Sequence, residues 1–387
     1  MNRPWRFVAD HYLVLPIGGV VALIWANTRP EGYFRFAESL AFVVNDVGMA
    51  LVLAYLAQEI VEASMPGGTL HPFHRLLVPI LGGVGSVIGA SLAYLGYLRM
   101  GDEQILARGW SIPGPADLVV ALGVARAIFG RRAAVTVALV IALTSDVVGL
   151  AIISPRHQVA DVHRGAAVLI VLGIGVAALL RRRQVAPSWP YVGFAGSLSW
   201  LGCYWSGIQP ALALLPIVPF LRHAPRDLTV AHDDRRAHRS PTHFESVFEI
   251  PVQVIGLLFG LVNLGIGLRG YGTGTWAVLV ASLVGRPIGT LAAVGMGTLS
   301  GLRWPRGIGW SEMVVAALAA APTVVFGVWF AVSVFPVGPL RIETTLGAIA
   351  TSIGLLPALT AARLLRVGRF STDVHSARPA VGLRRNA

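Results

Sequence analysis

The chain has 387 residues, of which 55% are hydrophobic and 13% are charged, and its mean hydropathy is +0.68. Roughly a quarter of the residues in a soluble domain are charged, so this composition excludes a soluble protein and predicts an integral membrane protein. The net charge of +12 raises the question of nucleic-acid binding. All 31 basic residues are arginines, and they lie mainly in the loops between apolar stretches. We therefore interpret them as a topology signal and expect no nucleic-acid partner.

Apolar stretches bounded by Gly, Pro and Arg predict twelve membrane spans. About 20 apolar residues are needed to cross a hydrocarbon core of roughly 30 Å. Spans 4 and 8 are shorter than this and are included because the arginine distribution requires an even number of crossings. In chain order, spans 1 to 12 are predicted near residues 11–27, 39–62, 76–98, 112–125, 133–154, 165–180, 189–204, 208–221, 246–267, 275–299, 312–335 and 345–366.

The arginines also predict the orientation of the chain, because short cytoplasmic loops are enriched in basic residues. With a cytoplasmic N-terminus, 22 arginines fall inside and 8 outside, and the remaining one, Arg286, lies within span 10. Both termini are therefore predicted to be cytoplasmic. Residues 1–366 are expected to form one transmembrane domain with a polar cytoplasmic loop at 222–242, and residues 367–387 a disordered cytoplasmic tail.

Asp117 in span 4 is the sharpest candidate for a functional acid. A carboxylate at the bilayer centre costs several kcal/mol, and this one follows Pro113, Gly114 and Pro115. Prolines interrupt the helical hydrogen-bond ladder, and non-helical backbone at membrane depth survives only where it is buried in protein or lines a wet cavity. Asp117 is therefore a predicted cation site.

Asp146 lies deep in span 5, beside Thr144 and Ser145. Their oxygens suit a hard cation or a proton, so Asp146 is the second predicted ion-binding or proton-binding residue. Arg286 is the only basic residue deep within a span, and an unpaired guanidinium there would be prohibitive. We expect Asp146 as its partner, while a purely structural salt bridge remains an open reading. Gly285 and its neighbours predict close helix packing at this point.

The other acids near the membrane are Asp46, deep in span 2, Glu59 at the end of that span, and Glu249 near the start of span 9. Acids at span ends lie close to interfacial water, so an interfacial role is open for the last two. In span 11, Pro322 and Thr323 follow a run of alanines and predict a second broken helix. Two interrupted helices in corresponding places of two halves indicate a transporter binding site near the midplane.

Several stretches resemble the NhaA family of bacterial sodium/proton antiporters. They are LPIGGVVALIWAN, VVNDVGMALVLAYLAQEI, GWSIPGPADLVVALGVA, TSDVVGLAII, SGIQPALA and LVGRPIG, in the family's order between about residues 15 and 365. The resemblance implies an all-α fold with two inverted repeats, spans 3–5 and 10–12, whose broken fourth and eleventh helices cross. It also implies a cytoplasmic funnel ending at the acids, and exchange of Na⁺ or Li⁺ for H⁺ across a bacterial inner membrane, without a cofactor, for sodium and pH homeostasis.

The resemblance places the family's functional positions on residues of this chain. Its fourth-helix aspartate falls on Asp117, its second-helix aspartate on Asp46 and its tenth-helix lysine on Arg286. The predicted ion-binding or proton-binding residues are thus Asp117 and Asp146, with Arg286, Asp46, Thr144, Ser145 and Thr323 in support and Glu59 and Glu249 along the funnel.

This chain departs from the family pattern in span 5, where two adjacent aspartates are usual. Here Asp146 is followed by Val147, and a register change of one residue decides which of the pair Asp146 replaces. Gln209 replaces the family's eighth-helix histidine. These departures leave open a carrier of the same fold for another solute or a transport-inactive homologue. A membrane-embedded enzyme is disfavoured because the spans contain no HExxH or GxSxG motif. A homodimer is left open.

Overall fold

The helices follow the predicted apolar spans closely. The computed structural model describes residues 14–101, 103–130, 133–154, 162–222, 243–268 and 270–371. The predicted loop beyond residue 222 and the predicted tail beyond residue 371 lie outside the described residues. Within the described part, seven helices are long and apolar enough to cross a membrane, and an eighth span consists of two helices bent by 49° at a break. The chain is therefore a multi-pass membrane protein.

The helix bounds agree with eleven of the twelve predicted spans. Spans 2 and 10 are each interrupted by a wider π turn, at Val43–Gly48 and Ala281–Gly285. The helices are Val14–Thr28 (span 1), Pro30–Ser64 (span 2), Phe73–Gly101 (span 3), Leu118–Phe129 (span 4), Ala133–Ile153 (span 5), Arg164–Arg182 (span 6), Tyr191–Gly196 with Ser197–Ser206 (span 7), His243–Asn263 (span 9), Thr273–Leu299 (span 10), Trp310–Ala319 with Val324–Val334 (span 11) and Pro339–Phe370 (span 12).

Span 8 is the exception, and the helix expected at 208–221 is wrong. This segment contains two short 3₁₀ turns, Pro210–Leu212 and Val218–Phe220. Prolines at 210, 216 and 219 explain the difference, because each one removes a backbone N–H and together they allow no continuous helical ladder. The segment is instead packed as a buried turn against spans 2 and 7.

Spans 3–5 and 10–12 are built alike. Span 3 packs along span 5, and the first helix of span 10 packs along span 12. In each group, the helix that follows the break packs on the third member, Leu118–Phe129 on span 5 and Val324–Val334 on span 12. The two groups meet where span 3 lies along the second half of span 10. This arrangement matches the two repeats that the family resemblance implies.

Glycines bring spans 3 and 10 into close contact. A methyl group at Gly89 would lie 2.4 Å from the carbonyl oxygen of Gly285, and one at Gly289 would lie 2.1 Å from that of Gly85. Both distances are far below van der Waals contact, so only glycine lets these backbones touch. The predicted close packing around Gly285 is confirmed, and it fixes the position of the neighbouring Arg286.

Candidate ion-binding site

The interrupted helices of spans 4 and 11 cross at Asp117. Its backbone N–H donates to the carbonyl oxygen of Pro322 at 2.9 Å, and its Oδ2 accepts a hydrogen bond from the Val325 N–H at 2.7 Å. The chain is extended at Asp117 and helical again from Leu118. Both predicted breaks are therefore present, and the same residue joins them through its backbone and its side chain.

The position of Asp117 suits a negative charge. It precedes the helix Leu118–Phe129, and its side chain caps the helix Val324–Val334 of the other repeat. The first N–H groups of a helix have no partners within the helix, and the helix dipole is positive at that end. One carboxylate thus lies between two helix N-termini. Asp117 is only 1% exposed, so bulk water contributes little to its solvation.

Arg286 binds the backbone carbonyl groups of the broken segment in span 4, just before Asp117. Its Nη1 donates to the carbonyl oxygens of Pro113 at 3.1 Å, Gly114 at 2.8 Å and Pro115, and its Nη2 donates to Ser145 Oγ at 3.1 Å. The proline-rich break leaves these carbonyls outside any regular helical ladder. The guanidinium therefore satisfies the backbone of the broken segment, and it is itself 1% exposed.

The expected ion pair between Arg286 and Asp146 does not form among the described residues. Asp146 is 0% exposed, and neither of its carboxylate oxygens has a hydrogen-bond partner. The backbone N–H groups of Ala116 and Leu118 act on it electrostatically, as does the guanidinium, but none closes to a hydrogen bond. Three carbonyl oxygens and a hydroxyl oxygen instead accept hydrogen bonds from Nη1 and Nη2 of Arg286, while its buried Nε has no partner. The predicted direct contact between Arg286 and a carboxylate is therefore absent from the described residues.

The two threonines predicted to support the site differ in their surroundings. Thr323 lies at the break in span 11, where its N–H donates to Thr351 Oγ1 at 3.0 Å and its own buried Oγ1 has no partner. Thr144 faces span 3 instead, with its Cβ 2.5 Å from where a methyl group on Gly83 would lie. The structure therefore brings Thr323 to the crossing and places Thr144 in a helix contact.

The remaining predicted acids lie away from the crossing. Glu59 forms an ion pair of 3.2 Å with Arg126, which connects span 2 to the end of span 4. Glu249 is on an exposed face of span 9. Along the part of the chain that the structure describes, no opening reaches either Asp117 or Asp146, since they are 1% and 0% exposed. The structure thus holds both acids closed off from water.

Asp46 belongs to a second buried polar cluster. Its Oδ1 accepts from Gln209 Nε2 at 3.0 Å, and its backbone oxygen, in the π turn of span 2, accepts from Trp200 Nε1 at 2.9 Å. Next to it, Asn45 and Asn263 exchange amide hydrogen bonds of 3.1 and 2.8 Å. Sequence reasoning missed this pair. A polar amide in each of two apolar spans was the available signal, because buried amides require partners.

Buried carboxylates at the crossing of two interrupted helices, in two similarly built repeats, define the class of secondary active transporters. The site contains carboxylate oxygens and a free threonine hydroxyl, which are ligands that hard cations and protons use. A family model described as Na+/H+ antiporter 1 matches residues 10–367. This chain belongs to that family.

Relatives with known names cover nearly the whole chain. One is named Na(+)/H(+) antiporter NhaA, from Desulfitobacterium hafniense (strain DSM 10664 / DCB-2), and is 36% identical over 376 residues, 94% of this chain and 96% of the relative. Na(+)/H(+) antiporter NhaA 2 of Pelobacter propionicus is 35% identical over 384 residues, 95% and 99% of the two chains. The NhaA of Geobacter metallireducens is 34% identical over 385 residues, 96% and 100% of the two chains.

A solved structure shows the same fold. It is that of the sodium proton antiporter MjNhaP1 from Methanocaldococcus jannaschii at pH 8, with a TM-score of 0.56, 13% sequence identity, and coverage of 94% of this chain and 92% of that one. At this identity the likeness concerns the fold alone.

Proposed function

We propose that this chain exchanges Na⁺ or Li⁺ for H⁺ across a bacterial inner membrane by alternating access. The observation that carries the proposal is Asp146, a fully buried carboxylate whose two oxygens have no hydrogen-bond partner, close to Asp117 at the crossing. Family membership and the relatives named as antiporters support the same activity.

Exchange follows from the cost of burying these acids. An ionised carboxylate without a partner is strongly disfavoured in an apolar interior. While the site is closed, Asp146 must therefore carry a proton or share a cation with Asp117. When the site opens to one side, cation and protons compete for the same oxygens, and each ligand shifts the population of states toward the one that it binds. Binding one then requires release of the other, without ATP.

Arg286 sets how many protons take part. A guanidinium remains charged in proteins, and this one is held by backbone carbonyls, so it neither releases a proton nor neutralises Asp146 directly. Two carboxylates are then available to titrate. Two protons per sodium or lithium ion, and hence net charge movement, is the stoichiometry that we propose.

The contact between Arg286 and Ser145 also bears on the register in span 5. Family members carry two adjacent aspartates there, the first of which pairs with the basic residue of span 10. Here Ser145 is the residue that accepts a hydrogen bond from Arg286. We infer that Ser145 stands in place of the first aspartate and that Asp146 keeps the ion-binding role of the second.

Ion-driven proton flux in proteoliposomes tests this proposal. Na⁺, Li⁺ and K⁺ are added in turn to vesicles that contain the protein and a pH-sensitive dye, with and without a potassium diffusion potential set by valinomycin in the Na⁺ and Li⁺ assays. We expect Na⁺ and Li⁺ to drive proton movement at a rate that responds to the potential. If the protein is inserted and folded but none of the three ions drives proton movement, cation exchange is rejected and transport of another solute is favoured.

A further inference from the structure

A loop contact at one end of spans 3 and 10 brings Arg303 and Arg306 close to Arg75, in the first turn of span 3. Loop 65–72 precedes span 3 and loop 300–309 follows span 10, and the Arg306 N–H donates to the carbonyl oxygen of Thr69 at 3.4 Å. The guanidinium of Arg75 lies close enough to those of Arg303 and Arg306 to be repelled by both. We call these three residues the arginine cluster. Arg75 thus lies beside two like charges.

No protein group neutralises the arginine cluster among the described residues. The one ion pair among the described residues joins Glu59 and Arg126, which lie in spans 2 and 4 and not in this cluster. Arg75 Nε and the neighbouring His74 Nε2 are buried and have no hydrogen-bond partner. Glu312, at the start of the next helix, directs its carboxylate to the Gly309 N–H at 2.9 Å. A buried guanidinium donor of Arg75 without an acceptor, beside two like charges, indicates that an anion from outside the chain completes this cluster.

The surface around the arginine cluster has the character of a membrane interface. Phe73 is 65% exposed and Trp310 is 50% exposed, and the Trp310 ring packs against that of Trp304 with centroids 4.9 Å apart. Tryptophan is enriched at the headgroup depth of a membrane. On the membrane side, Leu81 and Leu299 are 37% and 89% exposed. An apolar strip thus continues from the cluster toward the bilayer, as an acyl chain would need.

We propose that the arginine cluster binds the phosphate of an anionic phospholipid in the adjoining leaflet. Guanidinium groups bind phosphate oxygens through paired charge-assisted hydrogen bonds, and basic pockets between membrane helices bind anionic headgroups. The apolar strip favours a lipid over free phosphate, because free phosphate has no acyl chain that could pack against apolar side chains. The bound lipid fixes this end of spans 3 and 10, the helices whose glycine contact positions Arg286.

Binding to the purified full chain in a neutral detergent tests the proposal without any transport assay. Phosphatidylglycerol, phosphatidylcholine and inorganic phosphate are titrated separately, and retained lipid is counted by native mass spectrometry. We expect saturable binding of phosphatidylglycerol only. In R303Q/R306Q, both changes being at exposed positions, binding should weaken roughly 30-fold, since each arginine near an anionic surface contributes about a fivefold effect. R303K/R306K should retain most of the binding.

The matched control is R363Q/R369Q, which removes the same charge from exposed positions on span 12. It should bind as the wild type does. The proposal is overturned if R303Q/R306Q binds phosphatidylglycerol unchanged, or if the control loses as much affinity. It is equally overturned if inorganic phosphate alone competes at the concentration where the lipid binds, which would make free phosphate the ligand.

Discussion

Burying Asp146 without a hydrogen-bond partner costs free energy, because an ionised carboxylate loses its hydration there. Asp146→Asn keeps the shape and removes the charge. We therefore expect this variant to unfold at the same temperature as the wild type or a higher one in thermal-melt measurements in detergent. Disruption of a direct pair with Arg286 would instead cost about 3–5 kcal/mol. A loss of stability of that size would show that Asp146 and Arg286 do form a direct ion pair, contrary to the structure.

Ser145 is the only side chain that accepts a hydrogen bond from Arg286 in the part of the chain that the structure describes. Ser145→Ala leaves one donor of a buried guanidinium unsatisfied and should lower the free energy of unfolding by about 1.5–3 kcal/mol. Ser86→Ala is the control, since that buried hydroxyl donates only to the Gly83 carbonyl of its own helix and its loss should cost less. Equal losses in the thermal melts of the two variants would show that the contact with Arg286 adds nothing.

At the scale of helices, the glycine contact between spans 3 and 10 sets where Arg286 lies. Gly289→Ala would place a methyl group 2.1 Å from the Gly85 carbonyl oxygen, and the resulting overpacking should cost about 1–3 kcal/mol. Gly295→Ala, on the same helix with its nearest outside atom at 3.9 Å, should be neutral or slightly stabilising. Thermal melts of both variants decide this, and equal stabilities would contradict the close packing.

The breaks in spans 4 and 11 could be predicted because Pro113, Pro115 and Pro322 remove backbone donors in stretches that are otherwise apolar. The failure in span 8 has the same physical origin. There, the short apolar stretch was included as a span because the arginine distribution required an even number of crossings, and its three prolines were not considered. A crossing counts toward topology whether or not it is helical, so the count did not determine the structure of the segment.

The partner of Arg286 could not be predicted for a different reason. Sequence reasoning searches for a counter-charge, and Asp146 was the acid at the right depth. Carbonyl oxygens are carried by every residue and leave no mark in the sequence. Only the crossing geometry shows that those of Pro113 to Pro115 converge on the guanidinium. The same holds for the Val325 N–H, which Asp117 accepts from another repeat.

At the scale of the whole molecule, the arginine distribution predicts that both termini and the loop at 222–242 face the cytoplasm. A cysteine placed at Ser240, in a chain whose native Cys203 is first replaced by alanine, tests this orientation. Membrane-impermeant maleimide should label it in opened vesicles and leave it unlabelled in intact cells. Cys203 itself is buried, so its removal should not disturb labelling. Labelling in intact cells would contradict the predicted topology and place this loop outside the cell.

Exchange at two buried carboxylates is the central claim, and proton flux driven by Na⁺ in proteoliposomes of carboxylate variants tests it most directly. Asp117→Asn and Asp146→Asn each remove a group that binds cation and proton, so both should abolish flux while the protein stays inserted and folded. Glu38→Gln makes the same chemical change at an exposed acid outside the predicted site and should leave flux unchanged. Flux at the wild-type rate in Asp117→Asn or Asp146→Asn would contradict the account.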